Sequence, residues 1–324
     1  MSSQVPTARL GAAGPVITRI GFGAWAIGGP YEKGWGPVDD GLSVRAILRA
    51  VDLGISWIDT APVYGHGHSE TIVGQALSKL PRDSRPLVFT KCGRLLADGE
   101  VRSDLRPASI RKQCEDSLRR LSVDQIDLYQ IHVPDRQTGT PVEESWAALA
   151  ELADEGKVRW IGVSNFNQEL IERCAAIRRV DSLQPPMNLL DQTAVPLARW
   201  CGDKGIGILA YSPLASGMLT GSFDRARVEM LPQEDWRRRS PIFTGEQFSR
   251  NIEFVARLAE IASDQGCSSM ELALAWVLAQ AGVTAAIVGT RSPDQVDPWV
   301  RAAAVTELPE EMMREVGELA PASR

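Results

Sequence analysis

A single (β/α)8 barrel spanning residues 1–324 is the fold that the sequence predicts. Eight short runs rich in isoleucine and valine each lead into polar or glycine-containing sequence and then into a helical pattern. Such runs are typical of strands that are buried on both faces, as in parallel sheets. Eightfold alternation of strand and helix favours the barrel, with a doubly wound open sheet as the alternative. A short N-terminal hairpin is expected to cap the bottom of the barrel.

The strands alternate with amphipathic helices. Val44, Ile47, Leu48 and Val51 keep the i, i+3, i+4, i+7 spacing of a helix, and Gly54 is placed to end it. The predicted strands are, in chain order, Ile17–Gly23, Ile55–Asp59, Pro86–Lys91, Ile126–His132, Val158–Asn165, Asp181–Asn188, Gly205–Pro213 and Thr284–Thr290.

Two later helices carry signals for their first turns. Thr140 and Glu143, with Pro141 between them, predict a capping box and a proline at the first helical position. Ser268 and Glu271 predict a second capping box.

Composition excludes several classes of protein. The formal net charge is −6, with 35 basic and 41 acidic residues, and no basic block is long enough to predict a nucleic-acid surface. Five cysteines without a CxxC pair indicate neither disulfides nor a zinc site, which favours a reducing, cytoplasmic compartment. No secretory signal is recognised, and Gln280, Gly282 and Thr284 interrupt the longest apolar segment, Leu272 to Gly289. We therefore expect no membrane span.

The polar residues that follow the predicted strands point to one functional site. In a (β/α)8 barrel the chemistry collects where the C-terminal ends of the strands meet. The residues at these ends are Asp59, Lys91, His132, Ser164, Asn165, Gln184, Tyr211, Ser212, Gly289, Thr290 and Arg291.

Three of these residues, together with a tyrosine in the loop after Asp59, form a group of side chains that could donate a proton to an oxygen atom. Tyr64 follows Asp59 in the stretch DTAPVYGHGHSE. A free tyrosine has a pKa of about 10, so it is a weak acid near neutrality. A lysine ammonium such as that of Lys91 would lower this pKa, and Asp59 would hold the lysine. A neutral His132 could orient a substrate oxygen, so the set suits the reduction of a carbonyl group.

The same stretch admits two other interpretations. His66 and His68 could form a metal pair, but the only other histidine is His132, so we predict no metal. Gly65 and Gly67 could cradle a phosphate, although a tight loop is the simpler interpretation.

The chain resembles an aldo-keto reductase over almost its whole length, and in particular the microbial branch that reduces sugars and aldehydes. The resemblance is carried by five blocks that occur in the order and spacing of that family. They are ISWIDTAPVYGHGHSETIVGQAL, VFTKCG, IDLYQIHVPD, GKVRWIGVSNF and ILAYSPLASGMLTG.

The resemblance implies a role for each of the four side chains. Tyr64 would be the general acid, and Lys91 would be the partner that lowers its pKa. Asp59 would pair with Lys91, and His132 would orient the carbonyl group.

The resemblance also implies a nicotinamide cofactor. Ser164 and Asn165 would hydrogen-bond the carboxamide of the nicotinamide, with Gln184 on the other edge of that group. Tyr211 would stack on the nicotinamide ring and leave one face open for hydride transfer.

The remainder of the cofactor would follow the loops after the last two strands. Ser212, Leu214 and Gly217 would lie along the pyrophosphate. The stretch from Gly289 to Gln295 would meet the adenosine ribose and its 2′-phosphate.

The last of these loops departs from the family pattern. It reads GTRSPDQVDPW, in which Pro298 and Trp299 stand where many relatives have Glu-Asn for the adenine. Arg291 and Gln295 remain as candidates, and Arg291 can pair with a phosphate at a helix N-terminus. NADPH is therefore the expected cofactor, with NADH left open.

The predicted function is the NADP(H)-dependent reduction of an aldehyde or ketone, such as a sugar or a small aldehyde, to the alcohol. The alternative is a cofactor-binding regulatory subunit with little or no catalysis.

Residues 222–250 form a long connection that is expected to act as a lid over cofactor and substrate. A monomer is the default of the family. The loops Trp25–Val38 and Arg94–Val101 are expected to determine which substrate is bound.

Overall fold

The computed structural model describes residues 5–31, 34–97, 100–233, 235–303 and 309–321. The strands are β1 (Thr7–Arg9), β2 (Val16–Thr18), β3 (Ile20–Gly23), β4 (Trp57–Asp59), β5 (Leu87–Cys92), β6 (Arg94–Ala97), β7 (Glu100–Ser103), β8 (Ile126–Ile131), β9 (Val158–Ser164), β10 (Ser182–Gln184), β11 (Gly207–Tyr211) and β12 (Val283–Gly289).

The α-helices lie between and after these strands. They are α1 (Asp40–Asp52), α2 (His68–Ser78), α3 (Pro107–Leu121), α4 (Val142–Asp154), α5 (Gln168–Ala175), α6 (Val195–Asp203), α7 (Arg225–Glu229), α8 (Gly245–Asp264), α9 (Ser269–Ala279), α10 (Val296–Ala302) and α11 (Glu310–Leu319). Within the described ranges, none of them combines the length and the apolar character that crossing a membrane requires.

Eight parallel strands close into a barrel, which confirms the predicted fold. Around the barrel the order is β3, β4, β5, β8, β9, β10, β11 and β12, with β12 paired back to β3. Closure excludes the doubly wound open sheet. The predicted run Ile17–Gly23 divides in two, because Ile17 and Thr18 belong to β2 and only its last four residues enter the barrel.

The N-terminal hairpin closes the bottom of the barrel, as predicted. Strands β1 and β2 pair antiparallel, and the fully buried Leu10 and Ile17 pack with residues of the barrel interior such as Trp57, Phe89 and Leu209. Burial of each large apolar side chain stabilises the fold by about 1.5–3 kcal/mol. The bottom is therefore sealed by hydrophobic packing, and the opposite end is free to form a site.

The helix-end signals are confirmed at two places. Gly54 follows α1 with a φ of 91°, a left-handed conformation that glycine adopts without strain. At the start of α9, the Ser268 hydroxyl accepts from the backbone of Glu271, whose side chain in turn accepts from the backbone of Ser268.

The capping box predicted at Thr140 is wrong. Helix α4 begins at Val142 with Pro141 as its N-cap residue, and no side chain caps it. The reason lies in the preceding turn, because the Thr140 backbone N–H donates to Asp135 Oδ2 at 2.8 Å and its hydroxyl contacts Thr138. Because Thr140 takes part in these local hydrogen bonds, its side chain does not cap the helix.

A second hairpin, which the sequence did not reveal, rises from the top of the barrel. Strands β6 and β7 pair antiparallel between β5 and α3. Its base is fixed where the Gly93 N–H donates to the buried Gln113 Oε1 at 2.8 Å, and Gln113 Nε2 donates to Asp104 O at 3.1 Å. The backbone that leaves β5 is therefore held in one place.

The long connection after β11 also has structure of its own. Helix α7 is followed by two short 3-10 helices, Trp236–Arg239 and Pro241–Phe243, and then by the start of α8. Glu234 within it lies outside the described residues. This connection crosses the top of the barrel, where the predicted site residues are found.

Candidate active site

A cavity of about 610 Å³ opens at the C-terminal ends of the barrel strands. All of the predicted site residues except Lys91 line it. Those residues are Asp59, Tyr64, His132, Ser164, Asn165, Gln184, Tyr211, Ser212, Leu214, Gly217, Gly289, Arg291 and Gln295.

Lys91 lies directly behind the cavity wall in a dry ion pair. Its Nζ donates to Asp59 Oδ1 at 2.6 Å and to Thr60 O at 2.9 Å, while Gln184 Nε2 donates to Asp59 Oδ2 at 2.8 Å. The side chains of Lys91 and Asp59 are only 1% and 4% exposed. Burial lowers the pKa of Lys91, and the charge of Asp59 opposes this effect. Each charge thus depends on the other for its stability in the interior.

Tyr64 stands on the loop between β4 and α2, and buried hydroxyl groups anchor both ends of this loop. The hydroxyls of Thr60 and Ser69 share a hydrogen bond of 2.8 Å, and Ser69 Oγ donates to Ala24 O at 2.7 Å. Gly65 has a φ of 63°, and a Cβ at this position would lie 1.7 Å from Gly28 O. The glycine therefore permits a tight loop, as predicted, that fixes the direction of Tyr64.

Glu70 is a structural residue that the sequence interpretation missed. It is fully buried; its Oε1 accepts from Thr90 Oγ1 and its Oε2 from Arg120 Nε, each at 2.7 Å. The only signal was its position in the Ser-Glu pair that closes the first motif. Glu70 ties α2 to β5 and α3, and so supports the loop that carries Tyr64.

The phenol ring of Tyr64 lies against His132 and Lys91. The Tyr64 and His132 ring centroids are 5.9 Å apart at an interplanar angle of 87°, and Lys91 Nζ is 5.3 Å from the Tyr64 ring centroid. Burial, and then the charge of Asp59, raise the pKa of Tyr64 well above its ordinary value, while Arg94 acts to lower it.

The lowered pKa predicted for Tyr64 is therefore wrong in this arrangement. Burial of the phenol is the largest cause, and the Asp59 carboxylate that pairs with Lys91 raises the pKa of Tyr64 further. Tyr64 is consequently protonated at neutral pH and can donate a hydrogen bond into the cavity.

His132 is neutral and fixed by its backbone. Its N–H donates to Cys92 O at 2.9 Å, and its carbonyl oxygen accepts from Asn165 Nδ2 at 3.0 Å. Burial, with the charges of Lys91 and Arg94, lowers the pKa of His132 well below its ordinary value. Its Nδ1 has no hydrogen-bond partner within the described ranges. Since His132 lines the cavity and its Nδ1 is buried, the neutral ring can present Nε2 to a ligand oxygen.

The residues predicted to hold the nicotinamide form one connected network. Tyr211 donates its hydroxyl to Asn165 Oδ1 at 2.9 Å, Asn165 Nδ2 donates to Ser164 Oγ at 3.0 Å, and Ser164 Oγ donates to Gln184 O at 2.8 Å. The amide of Gln184 is committed to Asp59. It therefore supports the ion pair, a contact that the sequence did not reveal.

The turn that follows β11 has an unusual backbone. Ser212, Ala215, Ser216 and Gly217 all have positive φ values, between 47° and 98°. Left-handed conformations of residues other than glycine cost about 1–3 kcal/mol each and cluster at ligand-binding sites. Asn188 Nδ2 donates to Ser212 O at 3.0 Å and helps to hold this turn.

An aromatic and cationic cluster forms another part of the cavity wall. Trp25, Trp35 and Trp236 contact one another, with ring centroids 5.3–6.0 Å apart. The guanidinium groups of Arg237 and Arg291 lie 4.4 Å and 6.0 Å from the ring of Trp35. This juxtaposition required the tertiary structure, because its members come from three distant segments.

Gln295 caps the last loop. Its Oε1 accepts from Thr290 Oγ1 at 2.9 Å and from the Arg291 N–H at 3.0 Å. Trp299 of α10 is buried and also lines the cavity, and its Nε1 has no partner among the residues that the structure describes. The sequence departure at Trp299 thus falls on the wall of the site.

The two histidines of the first motif are not brought together with further metal ligands. His68 Nε2 lies 2.9 Å from Asp40 Oδ1 in a partly exposed pair. The described part of the chain contains no cluster of three or more residues that could hold a metal ion.

Comparison with known proteins decides the family. Residues 19–321 match the model of the aldo/keto reductase family. The chain belongs to this family. It is an oxidoreductase that uses a nicotinamide cofactor and acts on small carbonyl compounds.

Relatives of this reductase cover most of its length. It is 36% identical over 285 residues to aldo-keto reductase YhdN of Bacillus subtilis, covering 86% of this chain and 83% of that one. It is 35% identical over 328 residues to the NADH-specific methylglyoxal reductase of Escherichia coli, covering 95% and 97% of the two chains. The solved glycerol dehydrogenase AKR11B4 from Gluconobacter oxydans matches with a TM-score of 0.85 and 38% identity, covering 97% of this reductase and 94% of that chain.

Proposed function

We propose that this reductase converts an aldehyde or ketone to the alcohol with NADPH, and that Tyr64 donates the proton. The observation that supports this most directly is that Tyr64, with a raised pKa, and His132, with a lowered pKa, line the cavity with their ring centroids 5.9 Å apart. Consumption of NADPH in the presence of a reactive aromatic aldehyde is the first test. Binding of NADPH without consumption, across a panel of aldehydes and ketones, would contradict the proposal.

The protein groups have separate tasks in this reaction. When bound, the reduced nicotinamide supplies the hydride that adds to the carbonyl carbon. Tyr64 donates its proton to the carbonyl oxygen, so that hydride and proton together complete the alcohol. His132 orients the same oxygen by a hydrogen bond. The ion pair between Lys91 Nζ and Asp59 Oδ1, at 2.6 Å, forms the polar floor beneath Tyr64 and keeps it in place.

The residues around the cavity fit a dinucleotide. The strained turn at Ser212–Gly217 and the residues Arg227, Arg237 and Arg291 line the cavity, which suits the negative charges of phosphate groups. The Ser164, Asn165 and Tyr211 network offers amide and hydroxyl groups to a carboxamide.

A charge imbalance supports NADPH over NADH. Burial, and then the positive charge of Arg237, lower the pKa of Arg291. Asp235 is bound bidentately to Arg237, which leaves the charge of Arg291 facing the cavity. A 2′-phosphate would balance that charge.

Arg291→Gln is therefore expected to lower kcat/KM for NADPH about 10- to 100-fold, as loss of a charged hydrogen bond predicts. NADH should be affected much less, because it lacks the 2′-phosphate. Steady-state kinetics with both cofactors measure the change. Arg239→Gln is the matched control, since Arg239 is exposed in the neighbouring 3-10 helix. Equal losses for NADPH and NADH would show that Arg291 does not recognise the 2′-phosphate.

We further propose that residues 222–250 act as a lid. Trp236 packs against Trp25 at a centroid distance of 5.6 Å and against Trp35 at 6.0 Å. Phe223, Leu231 and Arg237 of the same segment line the cavity. These contacts join the segment to the loop after β3 across the cofactor side of the site.

Trp236→Ala removes both ring contacts and should accelerate dissociation of the reduced cofactor about 10-fold, from the energy of aromatic pairs. Stopped-flow fluorescence of bound NADPH measures this rate. Met230→Ala is the control, because Met230 lies in the same segment and is 77% exposed. A dissociation rate that Trp236→Ala leaves at the wild-type value would argue that the segment is not a lid.

A further inference from the structure

Arg94 places a positive charge at the substrate end of the cavity. It lies three residues after Lys91, at the start of β6, and lines the cavity together with Tyr64 and His132. The backbone between Lys91 and Arg94 is pinned, because Cys92 O accepts from the His132 N–H and the Gly93 N–H donates to Gln113 Oε1. These two hydrogen bonds therefore hold the start of β6, and with it Arg94, in a fixed position relative to Lys91 and His132.

Among the described residues, no carboxylate pairs with the guanidinium group of Arg94. Its buried Nε has no hydrogen-bond partner among them. Its charge acts on four side chains of the cavity, because it contributes to lowering the pKa of each. They are Tyr31, Tyr64, His132 and Tyr211. Because Arg94 also lines the cavity, an anionic ligand group bound there would balance its charge.

The other charges of the cavity do not compensate Arg94. Of the described residues that line the cavity, Asp59 is the only carboxylate, and it is already bound to Lys91 and Gln184. The remaining arginines come from the connection after β11 and from the loop after β12, on the side that suits the cofactor phosphates. Arg94 is therefore the charge left for the substrate.

Tyr31 adds a neutral donor near this charge. Its hydroxyl oxygen accepts from Trp25 Nε1 at 2.6 Å, and burial raises the pKa of Tyr31. The hydroxyl is therefore protonated and has its own hydrogen to donate. Tyr31 and Arg94 both line the cavity, and a phenol with a guanidinium is a donor set that suits an anionic oxygen.

We propose that Arg94 determines substrate specificity by binding an anionic group, a carboxylate or a phosphate monoester, at the end of the substrate remote from the carbonyl. This inference rests on the proposed carbonyl reduction and deepens it. The bound anion would hold the carbonyl between Tyr64 and His132, and the reduction itself would proceed as described above.

The test compares pairs of substrates that differ only in charge. One pair is para-formylbenzoate and its methyl ester, and the other is glycolaldehyde phosphate and glycolaldehyde. The wild-type enzyme should prefer the anion in at least one pair, and the pair identifies the anion. Arg94→Gln should reduce the ratio of kcat/KM for the anion to that for its neutral partner about 10- to 100-fold, mostly through KM.

Two further variants separate recognition from structural damage. Arg94→Lys keeps a positive charge without the guanidinium fork and should restore part of the preference for the anion. Arg102→Gln, in the same hairpin, removes an arginine whose side chain is half exposed and lies 3.7 Å from Glu100. It should keep the wild-type ratio. A ratio that falls equally in Arg94→Gln and Arg102→Gln would overturn the proposal.

Ionic strength provides a measurement on the unmodified enzyme. The whole chain carries a net charge of −6, so its overall charge does not attract anions, and a preference for them must arise within the site. Added salt should reduce the anion-to-neutral ratio, since it screens charges. No anion preference in either pair at low salt would overturn the role of Arg94. Failure to reduce any of the four compounds, while NADPH binds, would instead contradict the proposed carbonyl reduction.

Discussion

Replacement of Tyr64 by phenylalanine is expected to lower kcat for aldehyde reduction by about 10²- to 10⁴-fold, the usual contribution of a positioned proton donor. The Kd for NADPH should be nearly unchanged, because the hydroxyl does not belong to the cofactor wall. Phenylalanine retains the ring that packs at 5.9 Å from His132 and 5.3 Å from Lys91. The variant thus removes the acid and little else. Single-turnover kinetics and a cofactor titration measure the two quantities.

The pH dependence of the wild-type enzyme is a second test of Tyr64 as the proton donor. Reduction needs the protonated phenol, and the pKa of Tyr64 is raised well above its ordinary value. The single-turnover rate should therefore stay level through neutral and mildly alkaline pH and fall only as pH rises through that elevated pKa. A fall centred near neutrality, or a Tyr64→Phe variant with the wild-type rate, would show that another group donates the proton.

Replacement of Lys91 by methionine is expected to lower the free energy of unfolding by about 3–5 kcal/mol, because it leaves a buried carboxylate without its counter-charge. Asp59 is 4% exposed, and Gln184 would be its main remaining hydrogen-bond donor. Activity should be lost as well, since the floor beneath Tyr64 loses its hydrogen bonds to Asp59 and Thr60. Chemical denaturation measures the change in stability.

A double variant separates the charge from the packing. Asp59→Asn combined with Lys91→Met removes both charges and should regain part of the stability that Lys91→Met loses, as buried pairs replaced by neutral groups commonly do. Lys112→Met is the control, because the Lys112 side chain is 75% exposed and its pair with Asp116 contributes little. If Lys91→Met is no less stable than Lys112→Met, the ion pair does not support the fold.

Local pattern was sufficient to predict the barrel and most of the site. A strand buried on both faces has to be apolar along its length, so the eight runs could be read directly. A parallel barrel brings all C-terminal strand ends to one rim, so Asp59 and His132 could be placed together without coordinates. The capping box at Ser268 could also be predicted, because its two partners are three residues apart. At Thr140 the same logic failed, because Asp135 offered a better local partner.

The residues that the sequence left undefined depend on distant contacts. Glu70 acquires its role from Thr90 and Arg120, and the amide of Gln184 from Asp59, more than a hundred residues away in the chain. Arg94 could be assigned only to a variable loop, because the β6–β7 hairpin carries no periodic signal that distinguishes it.

The sequence by itself determined the barrel, the rim and the identity of the residues on it, since periodicity and motif spacing are properties of the chain. Only the tertiary structure decided the protonation of Tyr64, the neutral state of His132 and the charge of Arg94, which has no ion-pair partner among the described residues. A pKa is set by burial and by every charge within several ångströms, whichever part of the chain provides it. Asp59 and Arg94 act on the same phenol from different strands, and folding alone sets their distances from it.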